Sequence, residues 1–357
     1  MIDHSNPSYP TPLPLATRWR SVAPIATLIF LSPVLTELLM GSLHLTTIWL
    51  LVPEMAVYGV AALLIREAVR RQHRGWGMIL LLGIAFALTE ECVILQTSLT
   101  AQFFPPADTS SFGWAFGVQW IYLVGMLGYE SVYAIVLPIA LTELLFPDQR
   151  AVPWLSRRGM VIAFVVFILS SVGVWWLWSH GGVQRYGSSS YQIPLLNVIL
   201  AFVVVMLVVI ATLGVQLPSH AVQQATRRAW SPWLIGPIAF LLSFFWWTLV
   251  VFAYQPASTL PGVSPLIPIG IGLAWAVLSL LVVRYLSKAS GWQDRHRLAL
   301  IVGAVVASMV GGVLVILAAS PLDKLGKLVF DLIALILFAC LAWRLRKRRP
   351  AAVDEHS

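Results

Sequence analysis

The sequence predicts an all-α polytopic transmembrane bundle of about ten spans with both termini in the cytoplasm. Composition, the lengths of the apolar runs and the placement of the basic residues each lead there. Apolar residues make up 59% of the 357, charged residues only 11%, and the mean hydropathy is +0.84. A soluble domain carries about a quarter charged residues, so a soluble enzyme, a disordered chain and a fibre are excluded. Two cysteines exclude a disulfide scaffold and a Cys-based zinc domain.

Crossing roughly 30 Å of hydrocarbon at about 1.5 Å per residue takes about 18 apolar residues or more. Runs of that order stand at 22–40, 47–65, 76–103, 114–146, 159–178, 192–214, 233–254, 265–286, 298–319 and 325–343. Residues 1–21 then form an N-terminal tail, 22–146 spans 1 to 4, 147–345 spans 5 to 10 as scaffold, and 346–357 a basic C-terminal tail. Arg18 and Arg20 precede span 1 as in a signal peptide. That span contains Glu37 and ends without a small-x-small cleavage site, so it reads as a retained helix. Span 4 would measure about 50 Å as one helix. It must therefore tilt, protrude or break, with Gly125, Gly128 and Pro138 as the places to bend. Spans 5 to 10 carry almost no deep ionisable group. Asn197 reads as a helix–helix hydrogen bond, and Lys327 with Asp331 as a snorkelling pair near a span end. Glu67 and Glu143 read as interfacial.

Arg and Lys gather in alternate connections, beside spans 1, 2, 4, 6, 8 and 10. Of the 23, only Arg185, Lys324 and Lys327 fall on the other side. One missed or invented helix would scramble that alternation. Trp19, Trp49, Trp76, Trp114, Trp154, Trp178, Trp230, Trp233, Trp292 and Trp343 lie near span ends, the depth that amphipathic rings favour. The net charge of +8 is accordingly topogenic and does not indicate nucleic acid. The expected partners are the lipid bilayer, anionic lipid heads at the basic run Arg344, Arg346, Lys347, Arg348 and Arg349, and a small cation or proton.

The acidic residues carry the functional signal. Glu37 and Glu54 fall toward the outer ends of spans 1 and 2. Glu90, Glu91 and Glu130 fall near the middle of spans 3 and 4, and no Lys, Arg or His occupies the middle of any span. An ionised carboxylate at the bilayer centre costs about 2.5–3.5 kcal/mol on the lenient insertion scale. These groups must be protonated, hydrogen-bonded in a polar cavity or neutralised by a bound cation. Spans 3 and 4 are antiparallel and closely connected, so their glutamates come to similar depth. On span 4, Gln119, Tyr122, Met126, Glu130 and Tyr133 follow helical steps. On span 3, Glu91, Ser98 and Gln102 do so, with Thr97 beside them. Pro33 and Pro53, next to Glu37 and Glu54, each free a backbone carbonyl. Cys92 reads as a small apolar filler.

The pair Glu90-Glu91 on one helix, followed by a helix with a polar centre, resembles the CAAX protease and bacteriocin-processing group of glutamic intramembrane proteases. That group uses a Glu pair and His residues to activate a water, and places an Arg four residues after the second Glu. Leu95 stands at that position in this chain, and all seven histidines lie in tails, loops or span ends. The stretches T-E-E-C-V-I-L-Q-T-S-L (89–99) and G-Y-E-S-V-Y-A-I-V-L-P-I-A-L-T-E-L-L-F-P (128–147) are similar to a family of bacterial polytopic membrane proteins with no assigned activity. That resemblance implies a bacterial inner (plasma) membrane.

An acidic midplane without counter-charge points to a carrier or permease for a proton, a metal ion or a small cationic solute. Glu90, Glu91, Glu130 and Tyr133 would form its binding centre, and Glu54 and Glu37 would line its outer entrance. A non-enzymatic assembly or sensing partner would tolerate Gln at all three deep positions. An intramembrane hydrolase would lose cleavage on Glu91→Gln. No catalytic residue and no cofactor is expected. There is no Gly-rich nucleotide loop, and no deep His or paired Met for haem.

Overall fold

The computed structural model describes residues 15–100, 112–182, 195–214, 225–254 and 262–347. Helix α1 covers Leu15–Pro33 and continues in a π-turn over Val34–Leu38. Eight helices follow: α2 (Leu45–Arg71), α3 (Trp76–Ile94), α4 (Trp120–Leu145), α5 (Arg157–Gly181), α6 (Leu195–Gly214), α7 (Pro232–Tyr254), α8 (Leu266–Ser287) and α9 (Asp294–Val315). The last helix, α10, spans Pro321–Lys347. Among the described residues sheet is confined to two short pairs: β1 (Trp114–Ala115) with β2 (Val118–Gln119), and β3 (Ala225–Arg228) with β4 (Ala289–Ser290). Among the described residues, α2 to α10 are nine helices long and apolar enough to cross a membrane, with Val22–Leu38 of α1 as a shorter apolar stretch. The chain is an all-α, multi-pass membrane protein.

Several boundaries differ from the sequence reading for local reasons. Helix α1 starts at Leu15, inside the stretch read as tail. Helix α3 stops at Ile94, because Gln96 takes a left-handed backbone (φ 58°) and turns the chain. The long fourth span does not break. Its first residues form the β1–β2 hairpin, and α4 begins only at Trp120, capped by the Gln119 side chain accepting from the Ile121 N–H at 3.2 Å. Pro138 leaves the carbonyl four residues earlier without its helical donor. The Ser32 hydroxyl of α1 takes that place, donating to the Ala134 carbonyl at 2.6 Å. Gln102, Arg185, Arg348 and Arg349 lie outside the described residues.

Two apolar cores share α1 and α4. One joins Leu28, Val57, Ala62, Ile79, Phe86 and Ile135 from α1 to α4. The other joins Leu35, Tyr129, Leu137, Trp247, Ile301 and Phe338 from α1, α4, α7, α9 and α10. Over their most apolar stretches 61% of α3 and of α4 and 56% of α9 are buried, against 6% of α5 and of α8. Helix α9 is thus central, and α5 and α8 form the periphery. Close crossings rest on glycine. A Cβ on Gly59 would collide with the Ile29 backbone of α1, and one on Gly303 with the Gly236 carbonyl of α7. Gly59→Val is expected to lower stability in detergent by about 1–3 kcal/mol. A thermal unfolding midpoint equal to wild type would show that the α1–α2 crossing is not close.

Of the tryptophans near span ends, Trp49, Trp76, Trp230, Trp233 and Trp343 are exposed and Trp154 is buried. Lys327 and Asp331 are likewise no surface pair. Lys327 is 4% exposed, its ammonium lies 2.5 Å from the Asp331 carboxylate, and Gly41 and Gly312 make room for its stem. Arg346 and Lys347 lie over the rings of Trp233 and Trp343.

Candidate functional site: a buried carboxylate centre

The five deep glutamates of the first four helices, Glu37, Glu54, Glu90, Glu91 and Glu130, lie in or immediately before π-turns, which are rare and concentrate at functional sites. Glu37 lies within the turn Val34–Leu38, and Glu54 immediately precedes Met55–Gly59. Glu90 opens Glu90–Ile94, and Glu130 immediately precedes Ser131–Val136. A π-turn adds a residue to the helical turn, so the side chains beyond it rotate to a new face. Glu130 lies about 15 Å along α4 from its first residue, near the middle of that helix.

The structure brings Glu90, Glu91 and Glu130 together. They are 2%, 1% and 2% exposed, and one carboxylate oxygen from each lies within 4.8 Å of the other two. Their partners differ. Glu91 is supplied with donors by the reversal at Gln96, which swings Thr97 and Ser98 back so that both hydroxyls donate to its Oε2, Ser98 at 3.0 Å. Glu90 Oε1 accepts from the Tyr58 hydroxyl at 2.9 Å. Glu90 Oε2 and Glu130 Oε2 are buried and reach no donor. The Glu90 and Glu130 carboxylates thus lie close together, oxygens within 4.8 Å, each with an oxygen that reaches no donor, and acceptors so placed are reconciled by a proton or a cation.

Glu54 and Glu37 flank this centre. Glu54 Oε2 is also buried without a donor, and its carboxyl is within electrostatic range of Glu37 and Glu90. Glu37 accepts from the Ser42 hydroxyl. Tyr58, on α2 four residues after Glu54, donates to Glu90 of the inner three. Tyr133 does not join them. Its hydroxyl donates to the Ala304 carbonyl of α9 at 2.8 Å, and its ring stacks on Tyr129 at 4.6 Å. Gln119, on the same sequence stripe, is spent on capping α4. None of the ion pairs among the described residues includes any of the five glutamates. At an effective dielectric near 20, two unit charges about 5 Å apart repel by roughly 3 kcal/mol. Three ionised carboxylates in this centre therefore require a cation.

Compared with family models, curated proteins and solved structures, the chain matches none.

A second buried polar cluster closes the basic end of α2. Arg66 is fully buried. Its guanidinium meets Glu67 at 3.0 Å and Glu143 of α4 at 3.2 Å, donates to the carbonyls of Gln149, Arg150 and Val152, and lies 3.3 Å from the centre of the Trp154 ring. Glu67, also fully buried, accepts from the Trp154 and Leu155 N–H groups. Arg70 completes the cluster on Glu143 at 2.7 Å. Every partner is a protein group, so this is a clamp holding the 147–156 connection onto α2 and α4, with Glu67 and Glu143 buried inside it.

Tyr58 and Arg66 are the two functional side chains that sequence reasoning passed over. Tyr58 stands four residues after Glu54, a helical neighbour step. Arg66 looked like one more topogenic charge. Its adjacency to Glu67 and its distance from the later arginines of the loop were the available signals.

Proposed function

We propose that this protein is a membrane carrier that binds a hard cation at Glu90, Glu91 and Glu130 in exchange for protons. The observation that supports this reading is the convergence of three buried carboxylates with no basic partner, two of them keeping an oxygen that no protein donor reaches. Carboxylates inside a membrane face cavities or partners and mark ion and proton pathways. Hard cations take oxygen ligands at about 2.3–2.6 Å, so one ion can touch three oxygens spaced as these are. Glu91, held by two hydroxyl donors, serves as the fixed ligand. Glu90 and Glu130 exchange their shared proton for the ion. Glu54, Glu37 and Tyr58 extend the polar path from the inner three toward one membrane face.

Water activation of the intramembrane-protease kind finds less support, since no histidine approaches the centre among the hydrogen bonds of these glutamates. The test is transport. Proteoliposomes carrying a trapped pH dye are given an inward gradient of Ca²⁺, Mg²⁺, Mn²⁺ or Na⁺. The expected result is proton efflux coupled to uptake of at least one ion, absent with Glu130→Gln. No ion-driven proton movement with any of the four, from protein that unfolds cooperatively, would sink the carrier reading.

A further inference from the structure

A separate site lies at the C-terminal end of α8. Arg284 and Tyr285 in the last turn of α8, Lys288 just after it, and Arg227 on β3 line an open cleft of about 500 Å³ whose remaining wall is Leu281 and Val282. No acidic side chain among the described residues lines it. The β3–β4 pairing holds Arg227 in place, with the Ser290 hydroxyl donating to its carbonyl at 3.0 Å. Its guanidinium lies over the Tyr285 ring, 3.0 Å from the centroid, and donates through Nη2 to the Tyr285 carbonyl. Its Nε and Nη1 are buried and reach no acceptor.

Basic residues at this end of a membrane protein are ordinarily explained by topology alone. Some cations of the basic connections are held: Arg66, Arg70, Arg71, Arg150 and Arg297 each meet a carboxylate, whereas Arg227, Arg284 and Lys288 meet none among the described residues and share one cleft. Three uncompensated cations sharing one cleft make an anion site, because guanidinium and ammonium groups bind phosphate through charge-assisted hydrogen bonds. The apolar wall sets the source of the anion. Leu281 is 59% exposed and continues a face of α8 carrying the exposed Leu273, Val277, Leu278 and Leu280, the surface such a helix turns to acyl chains.

We propose that this cleft is a binding site for the phosphate group of an anionic phospholipid, with Arg227, Arg284 and Lys288 on the headgroup and Leu281 and Val282 along the first acyl carbons. It is distinct from the Arg344–Lys347 run, whose Arg346 and Lys347 lie over tryptophan rings.

The test uses the full chain in detergent, with added phosphatidylglycerol, phosphatidylcholine or inorganic phosphate, read by thermal unfolding and by native mass spectrometry. Phosphatidylglycerol is expected to raise the midpoint by about 3 °C or more, a shift typical of specific ligation, and to remain bound in the mass spectrum. Phosphatidylcholine and phosphate are expected to do neither. Arg284 and Lys288 are exposed, so R284Q/K288Q should keep the unliganded midpoint and lose most of the lipid shift, and R227Q should lose it as well. R344Q/R346Q/K347Q should respond as wild type does. An undiminished lipid response in R284Q/K288Q, or no response in wild type, would overturn the site. An equal response to inorganic phosphate would overturn the lipid assignment in favour of a soluble anion.

Discussion

Arg66→Met is expected to lower the stability of the detergent-solubilised protein by about 3–5 kcal/mol, the range found when one partner of a buried ion pair is removed. The substitution leaves Glu67, fully buried, with only the 3.5 Å contact to Arg71 and the two N–H groups of Trp154 and Leu155. It also strips donors from the carbonyls of Gln149, Arg150 and Val152, which pin the 147–156 connection. The methionine replaces the stem but not the contact with the Trp154 ring. Adding Glu67→Gln and Glu143→Gln to Arg66→Met should recover much of the loss, because a network removed whole leaves no unpaired charge behind. Denaturant unfolding of the single and triple variants decides it. A single variant within about 1 kcal/mol of wild type would mean that the clamp is replaceable by water at that end of α2.

The second large effect concerns the carboxylate centre and has opposite signs with and without ligand. Without added cation at neutral pH, Glu130→Gln is expected to be as stable as wild type or more so, by about 1 kcal/mol, because an amide donor replaces an acceptor that faces another acceptor. With a cation that occupies the centre at about a hundred times its Kd, wild type should gain roughly 2.7 kcal/mol, since a ligand that binds only the folded state adds RT ln(1 + [L]/Kd). Glu130→Gln should gain almost nothing, and the stability order should invert. Protons compete for the same oxygens, so the cation-dependent gain in wild type is present at high pH and is lost as pH falls. Thermal unfolding from pH 5 to 8.5 reads both. A variant that loses stability without cation and gains with it as wild type does would show that Glu130 is structural.

The helices and their order were legible because they rest on quantities that a single sequence carries: run length against bilayer thickness, and the alternation of basic loops. The five deep glutamates were equally legible, since an acidic residue inside an apolar run is costly and stands out without any knowledge of neighbours. The rotational phase of each helix was not. In a soluble helix the apolar stripe marks the buried face. In a membrane helix the lipid and the protein core are both apolar, and the sequence no longer says which side faces in. Tyr133 therefore shared a stripe with Glu130 on paper yet turned to Ala304 once the π-turn at Ser131–Val136 intervened. Thr97 and Ser98 reached Glu91 by a chain reversal at Gln96 rather than by helical spacing.

By itself, then, the sequence determined that this is a multi-pass membrane protein and which carboxylates lie deep within it, because the energies of transferring a peptide segment and a charge into lipid are properties of single residues. Tertiary structure alone decided that Glu90, Glu91 and Glu130 meet, that Tyr58 donates to Glu90, and that Arg66 is a buried clamp. Those outcomes depend on π-turns, on close glycine crossings and on a left-handed residue, local backbone choices that packing against neighbouring helices selects.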